Sequence, residues 1–558
     1  ASFVDVDVAG YTSLTNMAPP YYNKENMRFD EELHAQSMQL DGLCVLGDLD
    51  ARKQFRQPMK SAIIPSPLHG IFPPTSAPAK LRCGEWGNPL ISGILKQVST
   101  PVLFDSTCVS LAVASYIDNF CSRYSPYCSK GVLSVSEVLN GVPGLEYIRP
   151  LELNTSPGWP YILDRRFRGK LGFVEGEVGS RVLTPSIQSA LENLHDGFLQ
   201  GVIPTILIVD CLKDERRPLA KVAAGNTRVF NVVPFDLNIL LKQYFGSFLG
   251  HMMFLHHDTE CAVGINPHGA AWSFQGDRLS RFPSFVDGDF SSFDKRLSYQ
   301  VGKEFAKIAN AFYRDEFSMV RELLVEVLLT SFHLAGKTVY KVYAGNPSGN
   351  ALTTILNTVV NGLYLRLAYL EMFGSLQTFD AYVVPLFYGD DFVFSVRPDI
   401  GFSFHALKKI YGDHGLAITP STKDGCDYDY LLFSDVSFLK RKFVRHDGVW
   451  KAPLSYDVIC ESLNWIRVGH DPIEALQAVV DSALLEMSHY GNEKYDSFVE
   501  HLRVTCFSRK ISLQFDDFET TLSKLISDFA KCVILPFDKP QNSYGNAALW
   551  VEEEFSDS

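Results

Sequence analysis

The stretch VVPLFYGDDFVFSV, residues 383–396, sets two apolar, β-branched and aromatic runs on either side of Tyr-Gly-Asp-Asp. The runs have the composition of strands and the residues between them that of a tight reversal, so the segment predicts a β-hairpin. Glycine and aspartate are ordinary turn residues, and a hairpin accounts for this segment taken alone. It leaves the second carboxylate unexplained. Asp390 and Asp391 repel each other at the mouth of a buried hairpin, and a divalent cation removes the conflict. A metal there requires further carboxylates from elsewhere in the chain.

They appear in FVDGDFSSFD, residues 285–294. Strand alternation puts Asp287 and Asp289 on one face, with Asp294 past the end of the strand. An edge strand closed by an Asp cap is the plain alternative for this segment alone. Two short strands that each deliver carboxylates are how two divalent ions about 4 Å apart are held for in-line phosphoryl transfer. Mg²⁺ takes a few protein oxygens plus substrate phosphates, which suits aspartate.

Phosphates need positive charge nearby. CLKDERRPLAKVAAGNTRVF (211–230) carries Lys213, Arg216, Arg217, Lys221 and Arg228 against Asp214 and Glu215, between two apolar runs with strand character. A solvated charge run is the ordinary reading, and a channel lining is the functional one. DRRFRGK (164–170) and KRKFVR (440–445) are further basic patches. In AGNPSGNALTTILNTVVN (344–361), Gly345, Pro347 and Gly349 make a flexible loop ahead of a helix. Ser348, Thr353 and Asn357 there present hydroxyl and amide groups to one ligand, or else bond to backbone as a capped core helix does.

The chain has 558 residues, 46% of them hydrophobic, and a formal charge of −13. Its length predicts two to four subdomains. Its charge excludes a protein that coats nucleic acid with its whole surface, since phosphate contacts need clustered Lys and Arg. The eleven cysteines form no CxxC pair, which argues against a disulfide framework or zinc ribbon and for a reducing compartment. The chain opens ASFVDVDVAG, without a signal-peptide pattern or an initiating Met, as a trimmed product or a piece of a longer precursor does. ALTTILNTVVNGLYLRLAYL (351–370) is apolar but carries Thr353, Thr354, Asn357, Asn361 and Arg366, so it predicts a buried helix rather than a membrane span. Residues 1–100, rich in proline and glycine, predict an irregular extended layer. Residues 188–199 and 305–329 have helical periodicity, and the pattern after 455 is almost wholly helical, including DVICESLNWI. A mixed α+β body followed by a helical C-terminal unit is the expected order.

Seven segments, NTSPGWPY (154–161), KDERRPLAKVAAGNTR (213–228), DFSSFD (289–294), NPSGNALTTILN (346–357), YGDD (388–391), TPSTK (419–423) and FLKR (438–441), stand in the linear order of the motifs of one family. By them the chain resembles the RNA-dependent RNA polymerases of picorna-like positive-strand RNA viruses. Its ESLNW (461–465) and HYGNEKYDSF (489–498) resemble the picornaviral thumb. GNPSG resembles the loop of insect viruses of dicistrovirus or iflavirus type.

The resemblance implies an α+β closed right hand whose palm is an antiparallel, RRM-like sheet with helices. It divides the chain into an N-terminal extension and fingertips layer (1–100), fingers (101–245), palm (246–325), a fingers insertion (326–345), palm again (346–455) and a helical thumb with its tail (456–558). It implies a nucleotidyltransferase that replicates a positive-strand viral genome by adding rNMPs to an RNA or protein-linked primer. Asp289, Asp390 and Asp391 would hold two Mg²⁺, with Mn²⁺ as a substitute; Asp287, which has no fixed place in the family pattern, would be a further ligand. Lys423 would be the general acid. Lys213, Arg217, Lys221 and Arg228 would contact NTP phosphates and template. Asp294, Ser348, Thr353 and Asn357 would recognise the ribose 2′-hydroxyl. Phe438, Leu439, Lys440 and Arg441 would grip the primer, and Thr155, Ser156, Pro157 and Gly158 would line the template's path inward. Implied partners are RNA template and primer, NTPs, a VPg-type protein primer and other viral replication proteins. The implied location is peripheral, at virus-induced membrane replication complexes in the host cytoplasm, with no transmembrane segment.

Two rivals are weaker. A reverse transcriptase would carry a bulky aromatic gate where Asp294 stands, and a structural or nucleic-acid-coating protein leaves the charge of −13 and the acidic hairpin unexplained.

Overall fold

The structure is a computed structural model that describes residues 42–49, 59–96, 103–164, 166, 169–421, 427–446, 448–469 and 471–533, the last seven for backbone alone. Its centre is a four-stranded antiparallel sheet in the order Val383–Tyr388, Asp391–Val396, Ser284–Phe290, Ile418–Thr419. The expected hairpin is its first pair: Val383 faces Val396 and Tyr388 faces Asp391, so Gly389 and Asp390 alone form the turn. Gly389 has φ +63°, which a side chain would resist.

Alternation along these strands divides the sheet between two cores. Val286, Phe290, Phe392 and Phe394 pack on one face with Leu356, Val360 and Tyr364 of the Thr353–Phe373 helix. Phe285, Leu386 and Val393 pack on the other with Trp272, Phe438 and Phe443. Both faces are buried, which explains why the hairpin reads as nearly continuous apolar runs. The Thr353–Phe373 helix is buried along almost its whole length and ends at Gly374, φ +72°. Arg366, fully buried, donates two 2.8 Å hydrogen bonds to Glu260. Glu260 in turn accepts the Phe387 amide at its carbonyl, 2.7 Å, so helix and hairpin are tied to one segment.

A second sheet has the order Leu43–Asp48, Thr338–Val342, Phe332–Ala335, Leu207–Leu212, Val229–Val232. Phe332–Ala335 runs parallel to Leu207–Leu212 and the other pairs are antiparallel. Residues 59–81 form a strap across the molecule. Ile63–Pro65 pairs with Trp465–Arg467, and Ser76–Pro78 pairs with Arg216–Pro218. Distant parts of the chain are thereby closed into a ring by backbone hydrogen bonds.

Two helical expectations need correction. DVICESLNWI is not one helix: Tyr456–Ser462 ends there and Trp465–Arg467 is a strand, because the Asn464 side chain accepts the Gly70 amide (2.9 Å) and its carbonyl accepts the Ser66 amide (2.9 Å). Residues 305–329 are two helices, Glu304–Tyr313 and Ser318–Leu329, parted at Arg314 with φ +52°. The Asp315 side chain accepts the amide of Phe317, the residue before the second helix. No helix among the described residues is long and apolar enough to cross a membrane.

Candidate active site

Asp289 lies near the end of its strand and Asp391 at the start of the neighbouring one. The register pairs Phe392 with Gly288, so one step further sets Asp391 beside Asp289. Asp390 stands exposed at the turn tip. Desolvation and Asp289 raise its carboxyl, and Arg228 works against them. Asp391 is pushed up to about 7, first by burial, then by Asp390 and Asp289, with which it shares a hydrogen bond. Three carboxylates thus crowd one another, and the neutral form of one relieves part of their repulsion. Hard oxygen donors with excess negative charge suit a divalent cation. In this arrangement no group of three His, Cys, Asp or Glu among the described residues already stands in metal-holding geometry.

Asp287 shares the face of Asp289 but is fully buried. Its Oδ1 accepts the Tyr428 hydroxyl (3.0 Å) and its Oδ2 the Ser437 amide (2.9 Å). Both oxygens are engaged, and the side chain fastens segment 428–437 to the sheet. That is a structural task, at odds with the expectation of a metal ligand.

Asp294 follows the strand at the start of a short helix, nearly buried, and burial raises its carboxyl to about 6, with Asp390 adding to the rise. Asn357 donates to it at 2.5 Å and accepts from Asn346 at 2.9 Å. The loop that carries Ser348 is held by the Asn231 side chain, which accepts the Ser348 amide at 3.2 Å. A Cβ at Gly349 would lie 1.7 Å from the Asn231 carbonyl oxygen, so only glycine permits this approach. Thr353 donates to the Asn350 carbonyl at 3.0 Å and opens the helix.

The basic segment is organised by Glu215. Its carboxylate binds Arg228 closely, with Lys213 and Arg217 each at 3.7 Å. Asp390 and Asp294 add to the rise of Arg228, whose largest cause is its bond to Glu215, and Lys213 works against the rise of Asp294. Lys221 is exposed on the short Leu219–Ala223 helix, close enough to depress Lys96 together with burial and Arg217.

The remaining expected residues divide by location. Phe438 is core and Arg441 is bound to Glu486, while the Leu439-Lys440 turn, both residues at positive φ, brings Lys440 toward Asp391. Thr155 contacts the buried Lys170; Pro157 accepts the Phe235 amide (2.9 Å), and Gly158, φ +71°, abuts the Val233 carbonyl. Ser156 accepts the Gly158 amide at 3.3 Å. Lys423 lies outside the described residues, as do Arg165, Phe167 and Arg168 of the 164–170 patch.

Two residues escaped the sequence reading. Thr358 accepts the Gly389 amide at 2.8 Å, and Asn361 donates to the Gly389 and Asp390 carbonyls at 3.1 and 3.2 Å. Their spacing of three within a buried helix was the available signal.

Residues 110–506 match the profile of a family described as viral RNA-dependent RNA polymerase. The chain is 30% identical over 516 residues to the genome polyprotein of Rice tungro spherical virus (strain Vt6), covering 85% of this chain and 15% of that polyprotein. It is 32% identical over 392 residues to the replicase polyprotein of Acute bee paralysis virus (strain Rothamsted), covering 66% and 20%. For the replicase polyprotein of Drosophila C virus (strain EB) the identity is 30% over 478 residues, covering 79% and 27%. The chain therefore spans only a small part of these curated relatives. Its fold is similar to that of a solved Sicinivirus 3Dpol RNA dependent RNA polymerase, with a TM-score of 0.71 and 23% identity over 86% of this chain and 98% of that one.

Proposed function

The chain belongs to the viral RNA-dependent RNA polymerase family, and we propose that it extends an RNA or protein-linked primer on an RNA template to replicate a positive-strand genome. One observation carries this reading: two neighbouring strands and the turn beyond them bring Asp289, Asp390 and Asp391 together, close enough for Asp390 and Asp294 to raise Arg228, with Asn357 bonded to Asp294.

In the reaction a primer 3′-hydroxyl oxygen attacks the α-phosphorus of an NTP; the new O–P bond forms as the bond to pyrophosphate breaks, and the hydroxyl proton is released. Two Mg²⁺, or Mn²⁺ in their place, held by Asp289, Asp390 and Asp391 would supply neutralising charge at the attacking and leaving oxygens. Arg228, Arg217, Lys213 and Lys221 bind phosphates by charge-assisted hydrogen bonds. For Arg228 to do so it must exchange some of its contact with Glu215. Asp294 and Asn357 bind the ribose 2′-hydroxyl, with Ser348 and Thr353 shaping the loop around it. Lys423 donates a proton to the departing pyrophosphate. Leu439 and Lys440 contact the primer, and residues 155–158 guide the template. The domain division given above, a VPg-type primer, other replication proteins and peripheral membrane replication complexes in the host cytoplasm belong to the same reading.

The test is primer extension by purified protein on a homopolymeric RNA template with Mg²⁺. Template-dependent rNMP incorporation that EDTA stops is expected. Failure to extend any primer, or equal activity in EDTA, would overturn the proposal.

A further inference from the structure

The turn that presents Asp390 is not held by its own hairpin alone. Gly389 and Asp390 project beyond the last strand pair, and three of their backbone groups are bonded from beneath by the Thr353–Phe373 helix. The Gly389 amide donates to the Thr358 hydroxyl oxygen, whose own proton goes to the Thr354 carbonyl at 2.8 Å. The Asn361 amide group donates to the next two carbonyls. Thr358 and Asn361 are fully buried on this helix, where a polar side chain costs stability unless it is hydrogen-bonded. The helix itself is immobilised by the Arg366–Glu260 pair, and Glu260 also holds the hairpin strand through Phe387. One residue before Thr358, Asn357 holds Asp294.

We propose that Thr358 and Asn361 are positioning residues that set where the Asp390 carboxylate stands, so that one helix fixes the metal-binding turn and the sugar-facing Asp294 in a single frame. The inference rests on the metal reading above. Its alternative is that the two side chains merely satisfy a turn, in which case their loss lowers stability without altering cation affinity. Removing a hydrogen bond that orients a metal ligand typically costs about ten- to a hundredfold in metal affinity or activity.

The probe is Mn²⁺, titrated into full-length, NTP-free protein and followed by electron paramagnetic resonance, with thermal melting alongside. Thr358→Val keeps the shape and loses the acceptor, and should weaken Mn²⁺ binding about tenfold. Thr358→Ser should restore it. Asn361→Leu repeats the measurement independently, whether or not the valine variant folds. In primer extension kcat should fall more than KM for NTP changes. Wild-type Mn²⁺ affinity in folded Thr358→Val or Asn361→Leu, while Asp390→Asn loses binding, would overturn the positioning role and leave the metal site standing. Wild-type affinity in Asp390→Asn as well would remove the metal reading and this inference with it.

Discussion

The carboxylates of this protein include two contrasting groups. Glu260 and Glu486 each meet an arginine through two hydrogen bonds, Glu260 with Arg366 and Glu486 with Arg441. His268 joins the second pair, and together they hold Glu486 down at about 2 despite burial. Asp289, Asp390 and Asp391 instead face one another. Asp390 raises both Asp391 and Asp294, and Asp289 raises Asp390 and Asp391. A fold able to neutralise acids in the first group leaves them in conflict in the second. Paired acids fasten elements, Glu260 the central helix and Glu486 the helix Pro472–Met487 against the Phe438–Arg441 turn. Crowded acids store affinity for a cation.

The sharpest break in that comparison is substitution at the crowded site. Asp390→Asn or Asp289→Asn should lower primer extension by more than about a hundredfold while the protein melts cooperatively, since a repulsion is removed and no buried partner is stranded. Near wild-type extension by both purified variants in Mg²⁺ would abolish the distinction.

Glu260→Gln should do the converse. It leaves Arg366 charged and buried, and breaking such a pair costs about 3–5 kcal/mol, read as a lower denaturation midpoint in urea. An unchanged midpoint would show that the pair does not fasten the helix.

At the edge of the crowded site, Asp294→Ala or Asn357→Asp should narrow the preference for rNTP over dNTP. A lost hydrogen bond to a buried hydroxyl is worth about 1–3 kcal/mol, roughly five- to 150-fold in discrimination. Retained activity with unchanged preference would move sugar recognition elsewhere.

The smallest effect is in pH. Asp391, raised from 3.8 to about 7, binds its proton more tightly folded than unfolded, so its contribution to stability declines as pH rises through that window and is level above it. Glu486 has the opposite sign: its contribution is full above the ordinary glutamate range and is lost as pH falls toward about 2. His251, His256 and His257 are pushed down by desolvation and favour the folded state as pH rises, so the informative quantity is a difference. Melting temperatures in EDTA from pH 5 to 8 should show Asp391→Asn gaining on the wild type as pH rises. Parallel curves would mean that Asp391 is not confined as described.

The hairpin, the carboxylates at 285–294 and the loop before the buried helix were legible in the sequence because each is local: side-chain period, turn residues and charge spacing act over a few neighbours. The order of the motifs made the family legible for the same reason. Partnership across the fold was not. Nothing in FVDGDF distinguishes Asp287, whose oxygens are engaged by Tyr428 and Ser437, from Asp289, because alternation assigns both to one face and the difference lies in what packs there. Charge counting over 211–230 summed Glu215 against its neighbours, whereas the folded chain makes it the hub that orders Lys213, Arg217 and Arg228. Trp465–Arg467 reads as the continuation of a helix until Ile63–Pro65, far away in sequence, supplies a strand partner. Asn361 reads as an ordinary polar residue of a buried helix and Thr358 carries no mark of its own; only the approach of Gly389 and Asp390 turns them into ligands of a turn. Element type follows from neighbours along the chain, but a buried polar group acquires its meaning from the one partner that satisfies it, and tertiary structure alone chooses that partner.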